Sequence, residues 1–192
     1  MPGNRLYPTF LRLAGLRVVV VGGGPIAASK LAGLEEAGAV ITVVAPAICE
    51  AIRGRGHALI ERGFAPADLD GARWVVAAAP PEINREVAAA ATARGLFVNA
   101  VDDTASASAY LGAVIRRGPV ELAISTGGLA PALAGLLREA LEAVLPEDLD
   151  RWIAIAQAAR AEWKRAGVPM EQRRPLLLRA LDRLYPSPGA AP

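Results

Sequence analysis

Cysteine and histidine are almost absent from this chain of 192 residues: Cys49 and His57 stand alone. One thiol closes no internal disulfide and gives no cysteine-rich metal site, and one imidazole cannot build a centre that needs two or more. No protein-held metal is expected. Cys49 reads as a small, partly buried apolar residue, and His57, after Arg53-Gly54-Arg55-Gly56, as a solvated loop residue. Lysine is nearly as scarce. Only Lys30 and Lys164 occur, so the positive charge is almost wholly guanidinium, which suits bidentate recognition of carboxylates; genome base composition produces the same bias. The net charge of +2 comes with no basic helix and no aromatic-basic repeat, so nothing points to nucleic acid. No apolar run approaches a membrane span, and the short segment between Arg5 and Arg12 has no signal-peptide core. A cytoplasmic protein without a membrane partner is expected.

Apolar residues are what the chain has in quantity. At 53% they suffice for the core of one α/β domain with a smaller appendage. The most informative stretch is Val18 to Ala27, where a β-branched run breaks directly into Gly22-Gly23-Gly24 and then into a helical pattern starting Pro25-Ile26-Ala27. A buried parallel strand delivers backbone to a dinucleotide pyrophosphate in this way. Gly22 allows the tight turn, Gly24 lets the main chain approach the phosphates, and Ala27 lets the helix pack on its strand. The anion then meets free N–H groups at the helix start. The acidic residue that normally follows about twenty positions on is missing, because the second strand ends Val44-Ala45-Pro46. No arginine adjoins that tip to receive a 2′-phosphate, which favours NAD over NADP.

The first hundred residues alternate apolar strands with helical stretches, as a parallel sheet with helices on its faces requires. Strands are expected at Arg17–Val21, Val40–Val44, Ala58–Glu61, Trp74–Ala78 and Phe97–Val101, and helices at Pro25–Ala37, Ala47–Arg53 and Pro81–Arg94. After Asp102-Asp103 the texture changes. Ser108–Arg116 and Val120–Ser125 read as two strands around Arg117-Gly118-Pro119. Pro131–Val144 follows as an amphipathic helix with Leu133, Leu136, Leu137, Leu141 and Val144 on one face. A two-stranded element is not stable alone, so a partner subunit is expected. From Glu147 the chain reads as helical, with one apolar stripe at Trp152, Ile153, Ile155 and Ala156 and a second at Leu176, Leu177, Leu178, Leu181 and Leu184. The last residues, Pro-Ser-Pro-Gly-Ala-Ala-Pro, read as a disordered tail. The expected domains are 1–104, 105–146 and 147–185, followed by the tail at 186–192.

Chemistry is expected at two places. Val98-Asn99-Ala100-Val101-Asp102 sets an Asn and an Asp at the C-terminal edge of the fifth strand, where open α/β sheets bind ligands. Asp102 is the candidate general base there, and Asp103 reads as a turn residue. Ser125-Thr126-Gly127-Gly128 precedes the later helix and offers a concavity of N–H groups for an anion.

These segments together resemble the siroheme-synthase N-terminal family, the precorrin-2 dehydrogenases that often double as sirohydrochlorin ferrochelatases. The matching pieces are Val20 to Ala27 with Lys30, Thr42 to Pro46, Val98 to Asp103, Arg116 to Pro119, Ala123 to Gly128, Pro131 to Ala134 and Leu137-Arg138-Glu139, in family order across about residues 5 to 150. The resemblance implies an α/β protein: a Rossmann-like parallel sheet, then a small strand-helix dimerisation domain, then a C-terminal helical segment. It also implies a homodimer, with Asp102 on the family's catalytic aspartate, and Thr126 where some relatives carry a phosphorylatable serine. The expected form is the stand-alone one, without the family's methyltransferase domain.

The expected cofactor is NAD, contacted by Gly22, Gly23, Gly24, Pro25, Ile26, Ala45, Pro46, Ala79 and Asn99. The expected substrate is a tetrapyrrole, precorrin-2, which gives sirohydrochlorin and then, with Fe²⁺ as a second substrate, siroheme. Its carboxylates call for Arg116 and Arg117 and, less directly, Arg138, with Ser125, Thr126, Gly127 and Gly128 beside them. The chain departs from the family pattern at Ser29, at Ala78-Ala79-Pro80, at Ala109-Tyr110-Leu111-Gly112 and at Ala130. Two other readings stay open on sequence: a non-catalytic NAD(H)- or tetrapyrrole-binding module, and an NAD-dependent dehydrogenase of another small substrate.

Overall fold

The computed structural model describes residues 5–182 and Leu184, so the expected tail at 186–192 lies outside the described residues. The chain divides into two compact units, Met1–Leu111 and Gly112–Pro192. In the first, β1 (Arg17–Val21), β2 (Val40–Val44), β3 (Ala58–Ile60), β4 (Trp74–Ala77) and β5 (Val98–Ala100) form one parallel sheet in the order β3-β2-β1-β4-β5. Alternate residues of β1 face opposite sides. Val18 and Val20 pack with Ala27 and Leu31 of α1 (Pro25–Glu36) and Ile52 of α2 (Glu50–Arg53), whereas Val19 and Val21 pack with Val87 and Ala91 of α3 (Pro81–Thr92). Both faces of the central strands are therefore covered, which is why β1 reads as a continuous apolar run and not as an alternating one. Ala27 is fully buried in the α1 layer, as its small size anticipates.

The second helix is one turn, Glu50–Arg53, shorter than the expected Ala47–Arg53. His57 is not a freely solvated loop residue. Its ring is half-buried, with Nε2 2.7 Å from Glu35, which also holds Arg55 at 2.7 Å. At the far end of β3 Arg62 grips Asp68, and Arg17 donates to the carbonyls of Asp68 and Asp70. This clasp fastens the turn at Pro66–Leu69 to the start of β1.

In the second unit, β6 (Ala113–Arg117) and β7 (Val120–Ile124) pair antiparallel, with Arg117 opposite Val120 across the Gly118-Pro119 turn. The first of these strands begins at Ala113 and not at Ser108. Ser108 and Ala109 instead lie along β5: both N–H groups donate to the Val98 carbonyl at 3.0 Å, and the Ser108 hydroxyl accepts the Val98 N–H at 2.9 Å. That bonding carries the first unit through to Leu111. The remaining helices are α4 (Pro131–Val144), α5 (Leu149–Arg165) and α6 (Met170–Asp182). Trp152, Ile153 and Ala156 of α5 face Leu177 and Leu181 of α6 across a small apolar cavity, so the two expected stripes meet. No described helix is long and apolar enough to cross a membrane.

Candidate functional site

The sheet order reverses at β1, with β2 on one side and β4 on the other, and the connecting helices lie on opposite faces. Such a switch point opens a crevice beyond the C-terminal ends of the strands. Three chain segments border it: the loop from β1 to α1, the loop from β4 to α3, and the exit from β5.

The three glycines of the first loop do different things. Gly22 has a left-handed φ of +134°, and a Cβ there would sit 2.2 Å from the Ala78 carbonyl oxygen. A Cβ on Gly23 would lie 1.9 Å from the Ala47 oxygen. These two are glycine because neighbouring backbone crosses too closely for a side chain, which for Gly23 is a packing reason the sequence reading did not see. Gly24 is different. Nothing lies within 4 Å of where its Cβ would be, and as N-cap of α1 it carries no capping side chain. Pro25 at the first helical position has no N–H to leave unpaired, while the next N–H groups have no intrahelical acceptor. Open space over a glycine at an uncapped helix start fits an anionic pyrophosphate.

At the β2 tip, Ala45 is buried and Pro46 exposed. The nearby charges are already matched. Arg53 clamps Glu61 with two bonds of 2.7 and 2.5 Å, which holds the Glu61 carboxyl below the usual range, and Arg55 is held by Glu35.

The third border carries the ionisable chemistry. Asp102 follows β5 with its side chain exposed and is the one described non-glycine residue with a left-handed backbone, φ 58°. Such backbone positions cluster at functional sites. Asp103 accepts the Ser106 N–H at 3.1 Å, and hydrogen bonds from the Ser106 hydroxyl and then its backbone hold the carboxyl below the usual aspartate range. It is the turn-former, as its sequence context suggests. Asn99, expected on the cofactor, is buried and donates its amide to the Ala109 carbonyl at 3.0 Å, which pins the chain after the loop to β5. Ala79 lies in the β4 loop, and its N–H donates to Asn84 Oδ1 at 3.0 Å. Asn84 was missed. Its signal was available, because 84, 87, 88 and 91 form the buried stripe of α3, and a polar residue at the head of such a stripe needs a partner.

In the second unit the structure separates the residues expected to meet carboxylates. Arg117 does not present its guanidinium to a ligand: it donates to the carbonyls of Leu145, Pro146 and Glu142 and so closes the C-terminal end of α4. Arg116 projects from the exposed side of β6, 3.2 Å from Glu121, and Arg138 pairs with Glu142 at 2.7 Å. In the loop before α4, Ser125 Oγ accepts the Gly127 N–H at 3.1 Å, Thr126 Oγ1 accepts the Ala130 N–H at 3.2 Å, and the Thr126 carbonyl accepts from Leu129. The expected cradle of free N–H groups is thus largely closed by its own hydroxyls. The Thr126 bond reaches the N–H of Ala130, the N-cap of α4, and the helix itself carries no side-chain cap. Among the described residues no group of three or more His, Cys, Asp or Glu could hold a metal.

Comparison with known proteins adds a consistent set of relatives. Residues 9–113 match the family described as putative NAD(P)-binding, and residues 117–143 match the sirohaem biosynthesis protein central segment. The siroheme synthase of Pseudomonas fluorescens strain SBW25 is 41% identical over 172 residues, which are 87% of this chain and 37% of that protein. Siroheme synthase 1 of Aeromonas salmonicida strain A449 is 40% identical over 92% of this chain and 39% of its own length. The chain thus spans less than two fifths of these curated relatives. Among solved structures, SirC, precorrin-2 dehydrogenase, aligns with a TM-score of 0.66 at 27% identity, over 91% of this chain and 88% of that one.

Proposed function

Because this chain belongs to the siroheme-synthase N-terminal family, with a putative NAD(P)-binding first unit, we propose that it oxidises precorrin-2 to sirohydrochlorin. The observation that carries the reading is the placement of Asp102. Its left-handed backbone stands on the same sheet edge as the glycine turn whose outer face is open at Gly24. A nicotinamide nucleotide, when bound, supplies the hydride acceptor. The protein's part is to hold that nucleotide on the α1 N-terminus through Gly24, Pro25 and Ile26, along Ala45-Pro46 and Ala79, and to take a proton at the Asp102 carboxylate as the macrocycle gains conjugation. NAD is the proposed nucleotide, since Arg53 and Arg55, the arginines that follow the β2 tip, are engaged by Glu61 and Glu35, so neither is poised for a 2′-phosphate.

The same proposal includes Fe²⁺ as a second substrate. The macrocycle nitrogens would be its ligands and Asp102 again the proton acceptor. Arg116, Ser125, Thr126, Gly127 and Gly128 are the proposed contacts to the substrate's carboxylates. Assembly is proposed as a homodimer through the hairpin and α4, whose Leu133, Leu136, Leu137 and Val144 lie exposed in the single chain, and the location as cytoplasmic.

An anaerobic assay of purified protein with precorrin-2 tests this reading, with NAD, NADP or neither, followed by the sirohydrochlorin absorption and then by Fe²⁺ insertion. Conversion that requires NAD and runs more slowly with NADP is expected. Binding of both ligands without any sirohydrochlorin would overturn it in favour of a non-catalytic module.

A further inference from the structure

The bonds between β4 and β5 step regularly and then stop in an unusual way. Val75 N–H donates to Phe97, and Val101 N–H donates to the Ala77 carbonyl at 2.8 Å. In a parallel ladder the next rung would run from Ala79 N–H to the Val101 carbonyl. That rung is not made directly. The side chain of Asn84, 3% exposed, stands in it: Oδ1 accepts the Ala79 N–H at 3.0 Å, and Nδ2 donates to the Val101 carbonyl at 3.4 Å.

The gap requires an acceptor on one side and a donor on the other, and the primary amide of Asn84 provides both in one plane. The Val101 carbonyl belongs to the peptide plane that leads into Asp102, so whatever fixes that oxygen fixes the approach to the left-handed residue. On the other side, Asp103 is anchored by Ser106. Asp102 is thus framed between two side-chain to backbone bonds, and Asn84 makes the one that also reaches the β4 loop.

We propose that Asn84 is the positioning residue of the site, an amide spliced between the β4 and β5 tips that splays the sheet edge open and orients the Val101–Asp102 peptide. Its effect on turnover rests on the dehydrogenase reading given above; its effect on the backbone does not. Asn84→Asp separates the two bonds, because a carboxylate still accepts from Ala79 but cannot donate to Val101.

The test measures Asn84→Asp alone and combined with Asp102→Ala, in full-length protein. NADH affinity by fluorescence titration should stay close to wild type, while the thermal midpoint should fall, because a nearly buried carboxylate is left facing the Val101 carbonyl without a donor. The kcat of Asn84→Asp should fall roughly ten- to a hundredfold, the scale of a misplacement near 1 Å. The double variant should be no slower than Asp102→Ala, since residues acting through one group do not add. In labelled protein, the Val101 carbonyl and Asp102 amide resonances should move, with the Ala79 amide still hydrogen-bonded and protected from exchange. Unchanged Val101 and Asp102 resonances would overturn the proposal whether or not the wild type turns over. So would losses that multiply in the double variant, or wild-type kcat in Asn84→Asp. A wild type inactive on precorrin-2, with those resonances shifted in the variant, would sink the dehydrogenase reading and leave Asn84 as the residue that sets the peptide.

Discussion

The two units of this chain solve the problem of burial differently. In the first, β1 is sealed on both faces, and Leu31, Ile52, Leu69, the valines of β1 and β4, and Val43 and Val44 of β2 are almost wholly removed from water. In the second, only Ile115, Ala134 and Leu149 are buried among the described residues, while Leu129, Leu136 and Val144 are 90%, 63% and 73% exposed. A parallel sheet between two helical layers closes its own core. A hairpin with one amphipathic helix cannot do so, and its apolar face is of the kind that marks an interaction surface. The first unit therefore closes its own core, while the proposed dimer would cover the exposed apolar face of the second.

The tryptophans make that contrast measurable, because Trp74 lies in the first unit and Trp152 and Trp163 in the second. With the latter two replaced by phenylalanine, Trp74 reports the first unit alone. Leu31→Ala should then cost it about 2–5 kcal/mol in denaturant unfolding, as expected of a leucine removed from a closed core. The leading predicted effect in the second unit is polar. Arg117→Ala frees the carbonyls at the end of α4, and bonds from a charged donor are worth roughly 1.5–3 kcal/mol; the loss should be visible in the Trp152 and Trp163 signal and not in that of Trp74.

Acid sharpens the contrast further. Arg62, by its hydrogen bonds, holds the Asp68 carboxyl below its ordinary range against the opposing effect of burial. The stability this adds is complete above the unfolded-chain pKa and is lost as pH falls through the lower folded value. The first unit should weaken on acidification below the ordinary aspartate range, and Asp68→Asn should flatten that dependence. The smallest effect is expected from Leu136→Ala. On an exposed helix face it should change the second unit's own stability by less than about 0.5 kcal/mol, yet make light scattering shift toward monomer at micromolar concentration. An unchanged dimer, or a wild type that is monomeric, would break the proposed account of the second unit.

What could be read from sequence follows the same division. The β1 run, the glycine turn and α4 were legible because local pattern decides them: strand, turn and helix each carry their own periodicity and punctuation. Asp103 as a turn residue was legible for the same reason. The bonds of Arg117 to the end of α4 are not legible, because its partners lie 25 to 29 residues away and nothing local reveals that a guanidinium already has them. Asn99 and the hydroxyl oxygens of Ser125 and Thr126 likewise each have a backbone partner, at Ala109, Gly127 and Ala130, in addition to any ligand they are proposed to meet. Ser108 was placed in a strand of the second unit because its apolar neighbours suggest one, although bonds to Val98 decide otherwise.

The most direct measurement of the central claim compares Asp102→Asn with Asp103→Ala on anaerobic turnover of precorrin-2 with NAD, with NADH binding measured in parallel. If Asp102 takes the proton, the amide keeps the shape and loses the basicity, so turnover should fall roughly a hundredfold to ten-thousandfold with nucleotide binding retained, and Asp103→Ala should be much milder. Near-wild-type oxidation by folded Asp102→Asn would contradict the account and leave Asp102 as the residue that merely ends its strand.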